Sequence, residues 1–447
     1  MVLQQKYKPH PYPTITHYTP APKAGTFQPD NPNMRYLLIL LLWLCATCWH
    51  TSSAQRGSDL YIPAAKQGKV EIPFEYENNF IVIKVIFNRI FPLRFILDTG
   101  AEHTILTNRE ITDMLSVDYQ RRFTILGADM QTELYAYLVR GINMKIDDME
   151  FLNRSILVLE EDYFRFDQFA GINVHGIIGA DMIRRFVVEI NYRRKTVTFH
   201  DPRRFNERRV SDFTVLPADF HRGKPYINAF TRLANNQGID TKLLMDTGAS
   251  ISLLLYTDTD TLLTLPEKVI PGALGMGLGG SLDGYMGRVD RFRLDEDIEF
   301  RELITNFQEL HPNADSSYLN DRNGIIGNRL LNRFTVIIDY IRGNIYLRQV
   351  EDLQEDMEFD KSGLVMRAFG ASLNNFEVFY VIPGSPADEA GLKKGDELVR
   401  INWLPAFFFN MEGITSKLSK REGKKIRLVV KRNGENMRFT FLLRDLL

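Results

Sequence analysis

Leu93-Arg94-Phe95-Ile96-Leu97-Asp98-Thr99-Gly100-Ala101 and Lys242-Leu243-Leu244-Met245-Asp246-Thr247-Gly248-Ala249 are two versions of one stretch. Each is an apolar run that stops at Asp-Thr-Gly-Ala, and corresponding residues stand 148 positions apart. The same offset carries Gly176-Ile177-Ile178-Gly179 onto Gly324-Ile325-Ile326-Gly327, Phe186 onto Phe334 and Tyr192 onto Tyr340. A self-similarity kept over this distance marks one duplicated unit.

Each unit reads mainly as strand. Phe80-Ile81-Val82-Ile83-Lys84-Val85-Ile86-Phe87 is rich in β-branched and aromatic residues, Asn88-Arg89 makes a turn, and the next run leads into Asp98. The second unit follows the same plan, with a strand over 226–233, a turn at Asn235-Asn236-Gln237-Gly238 and a run into Asp246. A short helix is expected after each Ile-Ile-Gly, over 181–186 and 329–334. The expectation is a mainly β protein, with one all-β lobe over 60–205, a second over 206–350, a charged linker at 351–361 and a third domain over 362–447.

An apolar strand ending in Asp-Thr-Gly sets a carboxylate on the floor of a cleft. The glycine allows a tight turn behind the acid. Two such loops face to face bring Asp98 and Asp246 together, and like charges in contact share one proton, so their pKa values split. The ionised member then activates a water, and the protonated member donates to a peptide carbonyl oxygen. Each half resembles the pepsin-like and retroviral aspartic protease fold, over residues 68–350. Asp98-Thr99-Gly100-Ala101-Glu102 is similar to the retroviral loops, which carry an acidic residue after the alanine, and Asp246-Thr247-Gly248-Ala249-Ser250 to the cellular and bacterial ones. The resemblance implies that Asp98 and Asp246 are catalytic, supported by Thr99 and Thr247 through cross-lobe hydrogen bonds and by Gly100 and Gly248 in the turns behind them. It also implies that Ile177, Ile178, Gly179, Ile325, Ile326 and Gly327 form the second family signature, packed beneath the loops.

Flaps that close over an extended substrate are expected at 127–137 and 275–285. Tyr135 and Tyr137 are candidates to touch substrate, the other reading being packed strand tyrosines. Gly277, Gly279 and Gly280 are flap-tip candidates. The run Gly275-Met276-Gly277-Leu278-Gly279-Gly280 fits G-x-G-x-x-G, but no helix pattern follows it, so a nucleotide role is rejected. His103, beside the first loop, reads either as a pH-tuning group or as a pocket-wall histidine.

The run from Val381 to Leu398, with Pro383-Gly384-Ser385-Pro386-Ala387 and Gly391-Leu392-Lys393-Lys394-Gly395-Asp396, closely resembles the PDZ domains of bacterial proteases. That likeness implies an α+β module that adds a peptide strand to a sheet edge and holds its C-terminal carboxylate, with Ser362-Gly363-Leu364 as the carboxylate loop.

The 447-residue chain has a formal net charge of −1, which favours neither nucleic acid nor an anionic membrane. Residues 1–33 have no apolar period and read as a disordered extension or a mis-assigned start, with Met34 as the alternative start. Arg35, the apolar run from Tyr36 to Leu44 and Ser52-Ser53-Ala54 read as a signal peptide over 34–54, the competing reading being an uncleaved anchor. Both cysteines, Cys45 and Cys48, lie within it, so cleavage leaves a chain without thiols. Lipidation at Cys48 is a minor alternative. Neither H-E-x-x-H nor G-x-S-x-G occurs. The expectation is an exported aspartic endopeptidase, periplasmic or extracellular, acting on polypeptide substrates without metal or cofactor and binding C-terminal peptides at its PDZ domain. The alternative is a non-catalytic peptide-binding scaffold on the same fold.

Overall fold

The computed structural model describes residues 60–61, 68–127, 132–233, 238–277, 280–310, 319–353 and 359–447. The leader at 34–54, both cysteines, Gly279 and part of the charged linker lie outside these residues.

The protein is mainly β, with two all-β lobes and a C-terminal α+β module. In the first lobe the apolar run forms strand Phe91–Leu97, antiparallel to Phe80–Phe87 and parallel to Gly176–Ile178. The second lobe repeats this arrangement. Gly238–Met245 lies antiparallel to Lys224–Arg232 and parallel to Gly324–Ile326. Strand pairing continues one residue past each apolar run, since the Asp98 amide donates to the Ile178 carbonyl at 3.0 Å and the Asp246 amide to that of Ile326 at 2.9 Å. The Ile-Ile-Gly strand therefore fixes where each acid leaves the sheet.

A six-stranded sheet joins the lobes. At its centre Val187–Asn191 pairs antiparallel with Phe334–Asp339, and Glu189 stands opposite Ile337, its own counterpart in the duplication. The pseudo-two-fold axis passes between these two residues. Phe186, Val188, Ile190, Phe334, Val336 and Ile338 pack into one core that runs through both lobes. The helices after Ile-Ile-Gly are single turns, Ala180–Ile183 and Asn328–Leu331, shorter than the expected 181–186 and 329–334. They stop early because Val187-Val188 and Phe334-Thr335-Val336 are recruited into this sheet, where β-branched residues fit best.

The C-terminal module has its own core, which includes Leu364, Phe376, Val378, Leu398, Ile414 and Val430. Its strands run in the order Leu364–Phe369, Asn375–Val381, Glu397–Ile401, Lys425–Arg432 and Glu435–Leu442. The Pro-Gly-Ser-Pro motif makes the helix Pro386–Glu389, capped by Ser385 Oγ, which accepts the Asp388 amide. Asp396, 1% exposed, closes the Gly-Asp turn by accepting from Arg432 Nε at 2.6 Å and Nη2 at 2.7 Å.

This module does not hang on a free linker. Phe169 meets Phe379 edge-on with ring centroids 5.0 Å apart, Arg288 Nη2 lies 3.3 Å from Asp445 Oδ2, and Gly171 packs against Met411.

Candidate active site

The two Asp-Thr-Gly loops meet back to back. The Thr99 amide donates to Thr247 Oγ1 at 3.0 Å, and the Thr247 amide donates to Thr99 Oγ1 at the same distance. Each hydroxyl then donates onward across the lobes, Thr99 to the Met245 carbonyl and Thr247 to the Leu97 carbonyl, both at 2.7 Å. Both threonines are fully buried, and the grid satisfies the amide and the hydroxyl of each.

This grid aims the carboxyl groups of Asp98 and Asp246 at one another, in hydrogen-bond contact. Asp98 Oδ1 accepts the amides of Gly100 at 2.7 Å and Ala101 at 2.9 Å, while Asp246 Oδ1 accepts that of Gly248 at 2.7 Å. Burial, the Asp246 charge and the contact with Asp246 hold Asp98 well above the usual carboxylate range. Burial also raises Asp246, but the Asp98 contact, the Gly248 amide and the cations Arg322 and Lys224 pull against it.

They open into a cavity of about 790 Å³. Ile177 and Ile325 line it, while Ile178 and Ile326 turn into the core. Gly179 and Gly327 back onto the segments that follow the acid loops. A Cβ on Gly179 would lie 2.5 Å from the His103 backbone, and one on Gly327 would lie 2.4 Å from the Ile251 carbonyl oxygen. His103 is a wall residue of the cavity, with Nε2 3.6 Å from Glu102 Oε1.

The first-lobe hairpin of Tyr119–Leu126 and Glu133–Ile146 presents Phe123, Thr124, Ile125, Leu126 and Gly127 to the cavity. Tyr135 and Tyr137 are not on its wall. Arg122 stacks over the Tyr135 ring at 3.7 Å, and the Tyr137 hydroxyl donates to Glu160 Oε1 at 2.9 Å. In the second lobe Ile270–Gly277 and Gly280–Asp295 form the matching antiparallel pair, with Gly277 opposite Gly280.

Three contributors were not singled out from sequence. Asn328, buried, donates from Nδ2 to the carbonyls of Thr247 and Asn79, and its Oδ1 accepts the Tyr192 hydroxyl at 2.6 Å. Its only sequence signal is a break in the duplication, because the equivalent residue is Ala180. Lys224 lines the cavity, and burial lowers its pKa. Arg322 lies beside Tyr256, with Nη2 3.4 Å from the hydroxyl.

In the C-terminal module, the amides of Ser362, Gly363 and Leu364 converge on a single atom. They donate to Asp360 Oδ1 at 2.9, 2.7 and 3.3 Å. The loop expected to hold a ligand carboxylate thus already holds a carboxylate of its own chain.

No curated protein matches the chain. Among solved structures it is similar to conglutin gamma, a basic 7S globulin from lupine seeds, at 13% identity and a TM-score of 0.41 over 64% of this chain and 96% of that one. It is also similar to the basic 7S globulin from soybean, at 10% identity and a TM-score of 0.39 over 64% and 95%. Likenesses of this size carry no weight for fold or chemistry. Residues 377–432 match the PDZ domain family, so the C-terminal module is a PDZ domain.

Proposed function

We propose that this protein is an aspartic endopeptidase, hydrolysing peptide bonds of extended polypeptides with a water activated between Asp98 and Asp246. The observation that carries this reading is the contact of two carboxyl groups at the floor of one cleft, each held by loop amides and braced by the Thr99–Thr247 grid.

In the proposed reaction Asp98 carries the shared proton and Asp246, with the cations Arg322 and Lys224 near it, is the ionised partner. Asp246 removes a proton from water as its oxygen bonds to the peptide carbonyl carbon. Asp98 gives its proton to the carbonyl oxygen, which leaves a tetrahedral diol. Transfer of the proton on Asp246 to the amide nitrogen, with return of a diol proton to Asp98, breaks the C–N bond and restores the pair. Phe123 and Ile125 add apolar surface to the cleft wall.

A PDZ domain fits a protein-binding role, and a scaffold that binds peptide without cutting it is the competing reading. Mass spectrometry of a random peptide mixture, incubated with the chain or its Asp98→Ala form, separates the two. Products that appear only with the parent chain support the endopeptidase, and none with either supports the scaffold. Export remains part of this proposal on the strength of residues 34–54 alone.

A further inference from the structure

The two lobes present different chemistry at one matched position of the cleft wall. Phe80 follows a two-residue turn, Asn78-Asn79, with both residues in the left-handed region at φ 47° and 64°. It stands opposite Glu77 and two residues before Val82, which pairs with Ile96. Lys224 follows the turn Arg222-Gly223, again left-handed at φ 52° and 77°. It stands opposite His221 and two residues before Tyr226, which pairs with Leu244. Ile96 and Leu244 each come two residues before a dyad aspartate. Phe80 and Lys224 are therefore equivalents across the pseudo-two-fold axis. Their offset is 224 − 80 = 144 rather than 148, which hides the match in the sequence. Both line the catalytic cavity.

We propose that Lys224 selects an acidic side chain of the substrate on one side of the scissile bond, while Phe80 takes a large apolar side chain at the matching position on the other side. The bond that is cut rests on the endopeptidase reading, whereas the binding preference does not need it.

Three observations converge on this assignment. First, the Lys224 side chain is half-buried in the cavity wall and has no hydrogen-bond or ion-pair partner among the described residues. A cation held in a partly dry wall without a counter-ion is a cost that an incoming carboxylate removes. Second, the charges around it do not cancel. Arg222 and Arg322 both act against its charge, and Glu102 and Asp246 act for it. Glu102 is already shared, with Oε2 3.4 Å from Arg222 Nη1 and Oε1 3.6 Å from His103 Nε2. Asp246 is engaged by Asp98 and by the Gly248 amide. Third, the equivalent wall in the first lobe is apolar. Phe80, 6% exposed, meets Phe166 edge-on at 5.5 Å and packs in one cluster with Ile96, Ile105, Phe164 and Ile177. A carboxylate placed there would lose its hydration with nothing in return. An extended chain lying across the dyad meets the two positions at equal distances on opposite sides of the cut bond, because the axis relates the two acid loops.

The test uses the full chain and unstructured apolar peptides, amidated at the C-terminus so that no terminal carboxylate contributes. A single Glu is walked along the peptide, and each member has a Gln twin. With Asp98→Asn, which is expected to bind without cutting, calorimetry should show one placement of Glu binding about tenfold tighter than its Gln twin, as a charge-assisted contact gives. Adding Lys224→Met should bring that ratio below about twofold, and Lys224→Gln should do the same even if the methionine form folds poorly. Lys224→Arg should keep the preference, and Lys224→Glu should invert it. With the active chain, cuts in a random peptide mixture should show Asp or Glu enriched at one position on one side and Phe, Leu or Met at the matching position on the other. A Glu-to-Gln ratio near one at every placement overturns the proposal, as does a ratio that survives both Lys224→Met and Lys224→Gln. Equal loss of cleavage for both twins in the Lys224 variants, with their binding ratio unchanged, would make Lys224 a partner of Asp246 only and also overturns it. Cleavage without acidic preference overturns it while leaving the endopeptidase standing. Glu-selective binding that depends on Lys224, with no cleavage of any peptide, upholds the acidic subsite and removes the endopeptidase instead.

Discussion

Gly100 backs directly onto Asp246. A Cβ at Gly100 would lie 2.4 Å from Asp246 Oδ2, and one at Gly248 would lie 2.3 Å from Asp98 Oδ2. Each lobe's glycine leaves the room that the other lobe's acid occupies. Gly100→Ala and Gly248→Ala are each expected to displace the opposite carboxylate. A displacement of about 1 Å is enough to lower kcat/KM by about 100-fold. Circular dichroism should show the fold retained. Parent-level kcat/KM in a folded Gly100→Ala chain would mean that the pair tolerates separation and is not the reacting unit.

Asp98 has a stability consequence opposite to its proposed catalytic one. Its pKa stands well above the ordinary value of 3.8. Between those two values the folded chain keeps a proton that the unfolded chain releases, so stability falls as pH rises through that window. Asparagine carries no such penalty. Asp98→Asn is expected to melt at a higher temperature than the parent at pH 7, with the gain shrinking as pH falls below about 4. Peptide cleavage should be nearly abolished in the same variant. Thermal melts at the two pH values check it, and a lower melting temperature for the variant at pH 7 would contradict the raised pKa.

The lobes were legible because duplication prints the same motif twice at one spacing, and chance does not do that. Asp98, Asp246 and both Ile-Ile-Gly strands came directly from this pattern. What a period-2 pattern leaves open is which face of a strand looks where. Tyr135 and Tyr137 were equally compatible with cleft or packed positions, and Arg122 and Glu160, distant in sequence, decided for the latter. Docking of the PDZ domain was likewise invisible, because a charged stretch such as 351–361 reads as a tether whether or not the domain beyond it packs.

Asn328 shows how asymmetry enters a duplicated site. It joins the second acid loop at Thr247 to the first-lobe turn at Asn79 and to Tyr192. Asn328→Ala would leave two carbonyls and a hydroxyl short of partners in a buried place, which costs about 2–4 kcal/mol. Urea unfolding is expected to show that loss. The kcat should fall with it, since the Thr247 loop carries Asp246, whereas KM should change little. A loss of stability with an unchanged kcat would make Asn328 a brace of the fold only.

The last prediction concerns whether the PDZ domain stays docked in solution. Phe169 of the first lobe and Phe379 of the PDZ domain form an edge-to-face pair with centroids 5.0 Å apart and planes at 85°. Such pairs are worth about 0.5–1.5 kcal/mol beyond the area they bury. Because the two rings belong to different domains, they couple only if the domains are docked. A double-mutant cycle with Phe169→Ala, Phe379→Ala and the pair, followed by chemical denaturation, should give a coupling energy of about 1 kcal/mol. Strict additivity of the two substitutions would mean that the domains part in solution.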